Sequence, residues 1–292
     1  MRNHFLDRPR IYGWLLKAAQ GLPGPILYAC ARIVGALVFV FSRNDRRKVM
    51  HNLNLVSAGG TLLTSRRRLL WRFFQNYAFY MVDFFRLLSK TLEESQSFAK
   101  LVGGRQHLDE ALAQGRGAIL LTAHLGHWEI GGLGLRALGY PVNVVTVKHN
   151  SLFTNNLINM MRSRHGICVI ELGNSIYDVI PIVRALGRNE VVAMLGDRAI
   201  FKRTGSAVLF GKEVRLPLGP ILLAMSTGAH IVPAFSVMEA PGRYCGIIEP
   251  ALDLRYGPDH EQAIKDNLQQ VAQVFERYIR SYPDQWFETE PV

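Results

Sequence analysis

The stretch AILLTAHLGHWEIGG, residues 118–132, decides how the chain is read. It opens on a short apolar run of strand character, AILLTA, and passes straight into two histidines, a glutamate and several glycines. On one continuous helix His124 and Glu129 would stand roughly 140° apart, because five residues advance about 500°. The two side chains converge only if the backbone bends between them, and Gly126 permits that bend before a helix starts at Trp128. Strand, turn and helix in that order are the unit from which parallel α/β sheets are built.

Working outward, the same alternation recurs. Short apolar runs lie at VNVVTV (142–147), ICVIEL (167–172), VVAML (191–195), HIVPAF (230–235) and YCGIIEP (244–250). Longer helical stretches separate them, LFTNNLINMMRSRHG (152–166) and SIYDVIPIVRALGRN (175–189), with Gly166 and Gly187 where a helix should stop. A last helix over 259–281 carries Ile264, Leu268, Val271, Phe275 and Tyr278 as a one-sided stripe. The expected fold is α/β, a mostly parallel central sheet flanked by helices, over residues 91–292. Residues 1–90 read instead as helices and basic connectors, a membrane-associating region.

Charge supports that division. Residues 1–90 hold 15 Lys and Arg against three acidic residues, Asp7, Asp45 and Asp83, whereas the remaining 202 residues hold 19 basic and 20 acidic. The basic clusters SRNDRRK (42–48) and SRRRLLWR (65–72) flank two apolar stretches, ILYACARIVGALVFVF (26–41) and LLWRFFQNYAFYMVDFFRLL (69–88). The first is short of the ~20 residues that a spanning helix needs, so it crosses with Arg32 snorkelling or lies in the interface. The second mixes aromatic and basic residues, as headgroup level favours, unless both stretches are buried helices of a soluble domain. This basic third suits an anionic membrane surface or an acidic carrier protein. Nucleic acid is disfavoured, since no recognisable binding module accompanies the clusters. A cleaved signal peptide is not expected, because the apolar run ends in VFSRNDRR without a small-residue cleavage site. The three cysteines, Cys30, Cys168 and Cys245, show no pairing or metal spacing and read as buried thiols.

In the bent arrangement Glu129 reaches back to His124, orienting the ring and stabilising the imidazolium formed when it takes a proton. The nucleophile is then the substrate's own hydroxyl. Two other readings stand beside this one. His124, His127 and Glu129 could serve a metal-dependent hydrolase, although the segment lacks the HExxH spacing. The motif could also be a structural cap in a non-catalytic lipid-binding membrane protein, since a glutamate at a helix start is favoured without catalysis.

His124-Leu-Gly-His-Trp-Glu129, preceded by GRGAILLTA, resembles the HX4D/E motif of the late acyltransferases of lipid A biosynthesis, a family that includes phosphatidylinositol mannoside acyltransferases. RRKVMHNLNLV (46–56), GDRAI (196–200), VLFGKEVRLPLGP (208–220), GAHIVPAF (228–235) and YPDQWF (282–287) are similar to further blocks of that family, in the same order. The chain departs from it at Leu125 and His127, and its end, WFETEPV, lacks the basic tail common there. The resemblance implies an enzyme of the bacterial inner membrane, at its cytoplasmic face. It would move a fatty acyl chain from acyl carrier protein, or coenzyme A, to a hydroxyl of a membrane glycolipid such as a lipid A-type precursor. His124 is then the general base and Glu129 its partner, with backbone N–H groups near Gly126, or Arg198, facing the oxyanion. Lys148, Asn150, Arg164, Asp197 and Arg198 are the expected substrate-binding residues, and residues 210–220 line the acyl pocket. No metal and no bound cofactor is required.

Overall fold

The computed structural model describes residues 9–58, 64–147, 152–173, 175–199 and 203–292. Helices α1 (Pro9–Gly21), α2 (Gly24–Phe41), α3 (Arg43–Ala58) and α4 (Arg66–Leu87) come first. A one-turn helix α5 (Leu92–Ser95) leads into strand β1 (Ala99–Gly103) and helix α6 (Arg105–Ala113). Strands and helices then alternate as β2 (Ala118–Thr122), α7 (Trp128–Ala137), β3 (Val142–Val147), α8 (Leu152–Arg164), β4 (Cys168–Leu172), α9 (Ile180–Gly187) and β5 (Val191–Leu195). A hairpin of β6 (Thr204–Leu209) and β7 (Lys212–Pro217) precedes α10 (Gly219–Thr227). Strands β8 (His230–Ala240) and β9 (Arg243–Ile248) and helix α11 (His260–Ser281) follow.

Seven strands form one sheet in the order β1-β9-β8-β2-β5-β3-β4. Every neighbouring pair is parallel except β8–β9, so the sheet is the mostly parallel one that the alternating runs predict. Parallel strands buried on both faces read as continuous apolar runs, which is why AILLT and VVAML were legible. One face packs Ile119, Leu121, Val192, Ile231 and Phe275 together, and the other packs Leu120, Val191, Val232, Ile130 and Leu133. The segment 208–220 is a hairpin rather than a loop. Phe210 and Gly211 turn with φ of 54° and 77°, and Pro220 lies in the first turn of α10.

The two apolar stretches of the first third have different fates. Helix α4 is a core helix: Leu69, Leu70, Phe73, Phe74, Phe79, Tyr80, Phe84 and Phe85 are all buried. Asp83 of α4, fully buried, accepts from Tyr28 of α2 at 2.5 Å and from Tyr244 of β9 at 2.7 Å, tying three elements together. Helix α2 does the opposite. It leaves Ile26, Ile33, Val34, Leu37, Val40 and Phe41 exposed, Phe41 by 79 %, over an 18-residue helix of mean hydropathy 1.9. Cys30 and Cys168 are exposed, against expectation, and only Cys245 of the three is buried, because Cys30 sits on this uncovered helix and Cys168 at the start of the edge strand β4.

The connection from β2 to α7 depends on Gly126. Its φ is +62°, and its N–H donates to the Gln285 carbonyl at 3.0 Å. A Cβ added there would stand 1.9 Å from the Ser236 carbonyl oxygen of β8. Gly126→Ala combines a left-handed backbone with a clash against backbone that has no room to move, and should cost more than about 3 kcal/mol. Thermal unfolding of the purified variant checks this, and an unchanged midpoint contradicts it.

Candidate active site

Strands β2 and β5 are adjacent and parallel, with Thr122 opposite Leu195. Two residues beyond each strand end stand His124 and Asp197, so the shared register delivers both to the same edge of the sheet. His124 Nδ1 lies 2.7 Å from Asp197 Oδ1, and the His124 backbone N–H donates to Asp197 Oδ2 at 2.9 Å. The Trp286 indole N–H donates to the same Oδ2 at 3.0 Å. A carboxylate only accepts, so Nδ1 carries the proton, and in the neutral ring Nε2 keeps the lone pair. Burial pushes the Asp197 carboxyl up. The charge and hydrogen bond of His124, with Arg198 and the Trp286 indole, outweigh that and hold it down to about 2.

Glu129 does not reach His124. It sits in the first turn of α7 and points to α8, where Arg162 Nη2 and Nε donate to it at 2.5 and 3.1 Å. The physical reason lies in the bend itself. Leu125 bridges to Trp286 and Gly126 to Ser236, so α7 starts in a direction set by β8 and the C-terminal segment. Burial alone would raise the Glu129 carboxyl, but the Arg162 guanidinium holds it below its ordinary value. Arg162 is also buried, and its Nη1 has no hydrogen-bond partner among the described residues.

The other expected site residues divide. Arg164 is not at the site: it is exposed and donates to the Leu88 carbonyl at 3.4 Å. Two positions along a helix turn a side chain by about 200°, so Arg162 takes the inward face with Ile158 and Met161 while Arg164 leaves it. That face was the signal for Arg162, which the sequence reading missed. Lys148 and Asn150 lie outside the described residues. Asp197 lines the cleft and is the hydrogen-bond partner of the histidine. Arg198 pairs through Nε with Glu288, and its Nη2 donates to the Phe287 carbonyl at 2.9 Å. The Gly126 and His127 amides are both spent on backbone carbonyls, so neither faces an oxyanion.

His127 caps α7. Its Nδ1 accepts from the Ile130 N–H at 3.4 Å, and its ring, wholly buried, lies 4.3 Å from that of Tyr80 between centroids. The three donors of the metal-hydrolase reading therefore do not converge: one caps a helix, one pairs with Arg162, and one holds Asp197. A different trio, His124, Asp197 and Glu288, has ligand atoms within 4.8 Å of one another. There His124 already donates to Asp197, and Arg198 already neutralises Glu288.

All of this opens on a cleft of about 2620 Å³, lined by His124, Trp128, Glu129, Arg162, Asp197 and Arg198 at its polar part. Apolar walls extend from there, with Leu101, Leu120, Leu135 and Ile248 from one side of the sheet and Met194, Val214 and Leu223 from the other. Ordinary small-molecule pockets occupy roughly 300–1,000 Å³, so this one suits something longer and oily. A buried imidazole that lines an apolar cleft and is held by a carboxylate has the chemistry to accept a proton from a hydroxyl.

Burial pushes the His127 ring down to about 3, against raising contributions from Glu129 and nearby backbone. Between its ordinary 6.5 and about 3 the unfolded chain binds the extra proton, so folded stability falls as pH drops through that window. His127→Asn keeps a capping acceptor and does not titrate. Denaturant unfolding in detergent from pH 6.5 to 4 should show a shallower loss for the variant, by up to about 1.4 kcal/mol per pH unit. Parallel profiles contradict this account.

The family model described as bacterial lipid A biosynthesis acyltransferase matches residues 7–288. The phosphatidylinositol mannoside acyltransferase of Mycobacterium tuberculosis is 30 % identical over 223 residues, 74 % of this chain and 67 % of that protein, in each of two strains. The protein of the same name from Mycolicibacterium smegmatis is 28 % identical over 188 residues, 63 % of this chain and 59 % of its own length. With a match running through the helical region, the sheet and the C-terminal segment, the chain belongs to the bacterial lipid A biosynthesis acyltransferase family and is an acyltransferase.

Proposed function

We propose that this protein transfers a fatty acyl chain from a thioester, on acyl carrier protein or coenzyme A, to a hydroxyl of a membrane glycolipid. The observation that carries the reading is the His124–Asp197 pair in the wall of a large, mostly apolar cleft. His124 Nε2 takes the proton of the acceptor hydroxyl while Asp197, through Nδ1, fixes the ring and balances the imidazolium charge. The alkoxide oxygen attacks the thioester carbonyl, and the carbonyl electron pair moves onto oxygen. Arg198, whose Nη1 has no partner among the described residues, is the donor for that oxyanion. Collapse restores the carbonyl and breaks the C–S bond, and the departing thiolate takes the proton back from His124. Glu129 and Arg162 act as a neutral pair in the cleft wall, with Arg162 Nη1 left to bind an oxygen of either substrate. Lys148 and Asn150 stay as proposed contacts of the acceptor.

The acceptor is read first as a lipid A-type precursor. A lipid whose reacting sugar is uncharged, like the mannoside in the relatives' names, is favoured by a separate observation. Arg162 and Arg198, the arginines beside His124, are each neutralised by a carboxylate, Glu129 and Glu288. Lipid mass spectrometry of cells with and without the protein tests both. One acyl chain lost from a phosphorylated disaccharide lipid supports the first, and one lost from a glycolipid whose acylated sugar carries no phosphate supports the second. Unchanged lipids would sink the transfer itself.

Attachment to the cytoplasmic face of a bacterial inner membrane is part of this proposal, and α2, whose 18 residues span about 27 Å against a hydrocarbon core of about 30 Å, supports contact with a bilayer. The clusters at 42–48 and 65–72 adjoin it, and Arg66, Arg67 and Arg68 are exposed. They would attract an anionic surface by about 1 kcal/mol per residue.

His124→Ala should reduce transfer to background. Asp197→Asn, which removes the charge that orients the ring, should lower kcat by about 10³-fold or more with the fold retained. Glu129→Gln should act differently, because it strands a buried guanidinium: a stability loss of about 3–5 kcal/mol is expected. Steady-state kinetics beside thermal melts of the three variants separate these outcomes, and an active His124→Ala defeats the mechanism. Changing Arg66, Arg67 and Arg68 together to Glu should weaken partitioning onto anionic vesicles at moderate salt, measured by sedimentation. Equal partitioning would count against the surface role.

A further inference from the structure

The acidic C-terminal segment lies along the cleft, with Phe287, Glu288 and Glu290 among its lining. Glu288 is 3 % exposed, and its carboxylate lies within 4.8 Å of ligand atoms of both His124 and Asp197. Two buried carboxylates so close repel each other, and the Arg198 charge offsets that repulsion. Of the three guanidinium nitrogens of Arg198, two are held by this segment, Nε by the Glu288 carboxylate and Nη2 by the Phe287 carbonyl. Helix α3 holds the segment in turn. Asn52, buried, donates to the Glu288 and Glu290 carbonyls at 3.1 and 2.9 Å and accepts from the Val292 N–H at 3.3 Å. Lys48 pairs with Glu290 at 2.7 Å beside it.

We infer that Glu288 and Asn52 are positioning residues for acyl transfer: Asn52 clamps the C-terminal strap, and the strap, through Glu288 and Phe287, aims the free Nη1 of Arg198 at the developing oxyanion. The inference rests on the acyl-transfer reading. Neither residue needs to touch a substrate. Asn52, on the far side of the strap, does not line the cleft at all. A guanidinium fixed at two nitrogens reorganises little when charge develops, which is what makes such a donor effective in the transition state.

The test uses the full chain in detergent. Asn52→Ala and Glu288→Gln should each lower kcat by about tenfold, within the range for a misplaced oxyanion donor, with KM moving less than about threefold. On an Arg198→Ala background both substitutions should become silent, because they act through that one side chain. A purely structural role would instead lower the melting point and add to the Arg198→Ala defect. Hydrogen exchange supplies a readout that needs no turnover: the hydrogen-bonded amides of Phe287, Glu290 and Val292 should exchange at least about tenfold faster in Asn52→Ala. Unaltered exchange, or additive losses on the Arg198→Ala background, overturns the proposal. Rapid exchange in the variant with no turnover in the wild type would leave the strap standing and defeat the acyl-transfer reading instead.

Discussion

The contact on which the site depends is made by two strand ends. Thr122 and Leu195 are paired across adjacent parallel strands, and each strand leaves the sheet with the same two-residue step to a polar side chain. In a parallel pair the side chains that follow the last rungs emerge together at the carboxyl edge, where open α/β sheets place their ligands. His124 and Asp197 thus meet at 2.7 Å although 73 positions separate them in the chain. Their placement rests on backbone hydrogen bonds of the sheet interior, so the pair is as rigid as the core beneath it.

Around that pair the charges are matched with little to spare. Asp197 accepts from His124 twice and from Trp286, Glu129 takes Arg162 in a two-pronged grip, and Glu288 takes Arg198. Removing such groups from water costs several kcal/mol per ion unless partners replace the lost hydration. The pairing explains how a cleft with largely apolar walls tolerates three carboxylates at one end. It also leaves positions that can still interact, among them, within the described residues, Nε2 of His124, Nη1 of Arg162 and Arg198, and the Ser236 hydroxyl in the cleft wall.

The first four helices couple to this end through polar anchors rather than through apolar packing alone. Asp83 joins α2 and α4 to β9, Asn76 of α4 donates to the Asp284 carbonyl at 3.2 Å, and Asn52 holds the C-terminal residues. Helix α4, rich in aromatic residues, became core because its apolar residues repeat around most of its circumference and meet α2, α3 and the sheet domain. Helix α2 has only Leu27, Ala31 and Gly35 buried and keeps the rest of its apolar surface outward. The two stretches look alike in composition, yet only one is left for lipid.

Much of the architecture was present in local pattern. All six quoted apolar runs begin within a residue of a strand, HIVPAF covering only the first part of the longer β8, since period and length of apolar runs reflect burial directly. β1 and the β6–β7 hairpin were missed: AKLVG and TGSAVL carry too few apolar residues to stand out from their surroundings. The placement of His124 and Arg198 at one edge of the sheet was legible because each closely follows an apolar run of strand character. The partner of His124 was not. Spacing within HLGHWE proposed Glu129, five residues away, whereas the true partner is set by which strand lies next to β2, and strand order is not written in any local segment. Arg162, Trp286, Glu288 and Asn52 joined the site for the same reason. Chemistry-bearing residue types are a property of the chain, but their pairing is decided by sheet register and by where the C-terminal segment crosses. Those are long-range choices that only close packing of the whole core makes.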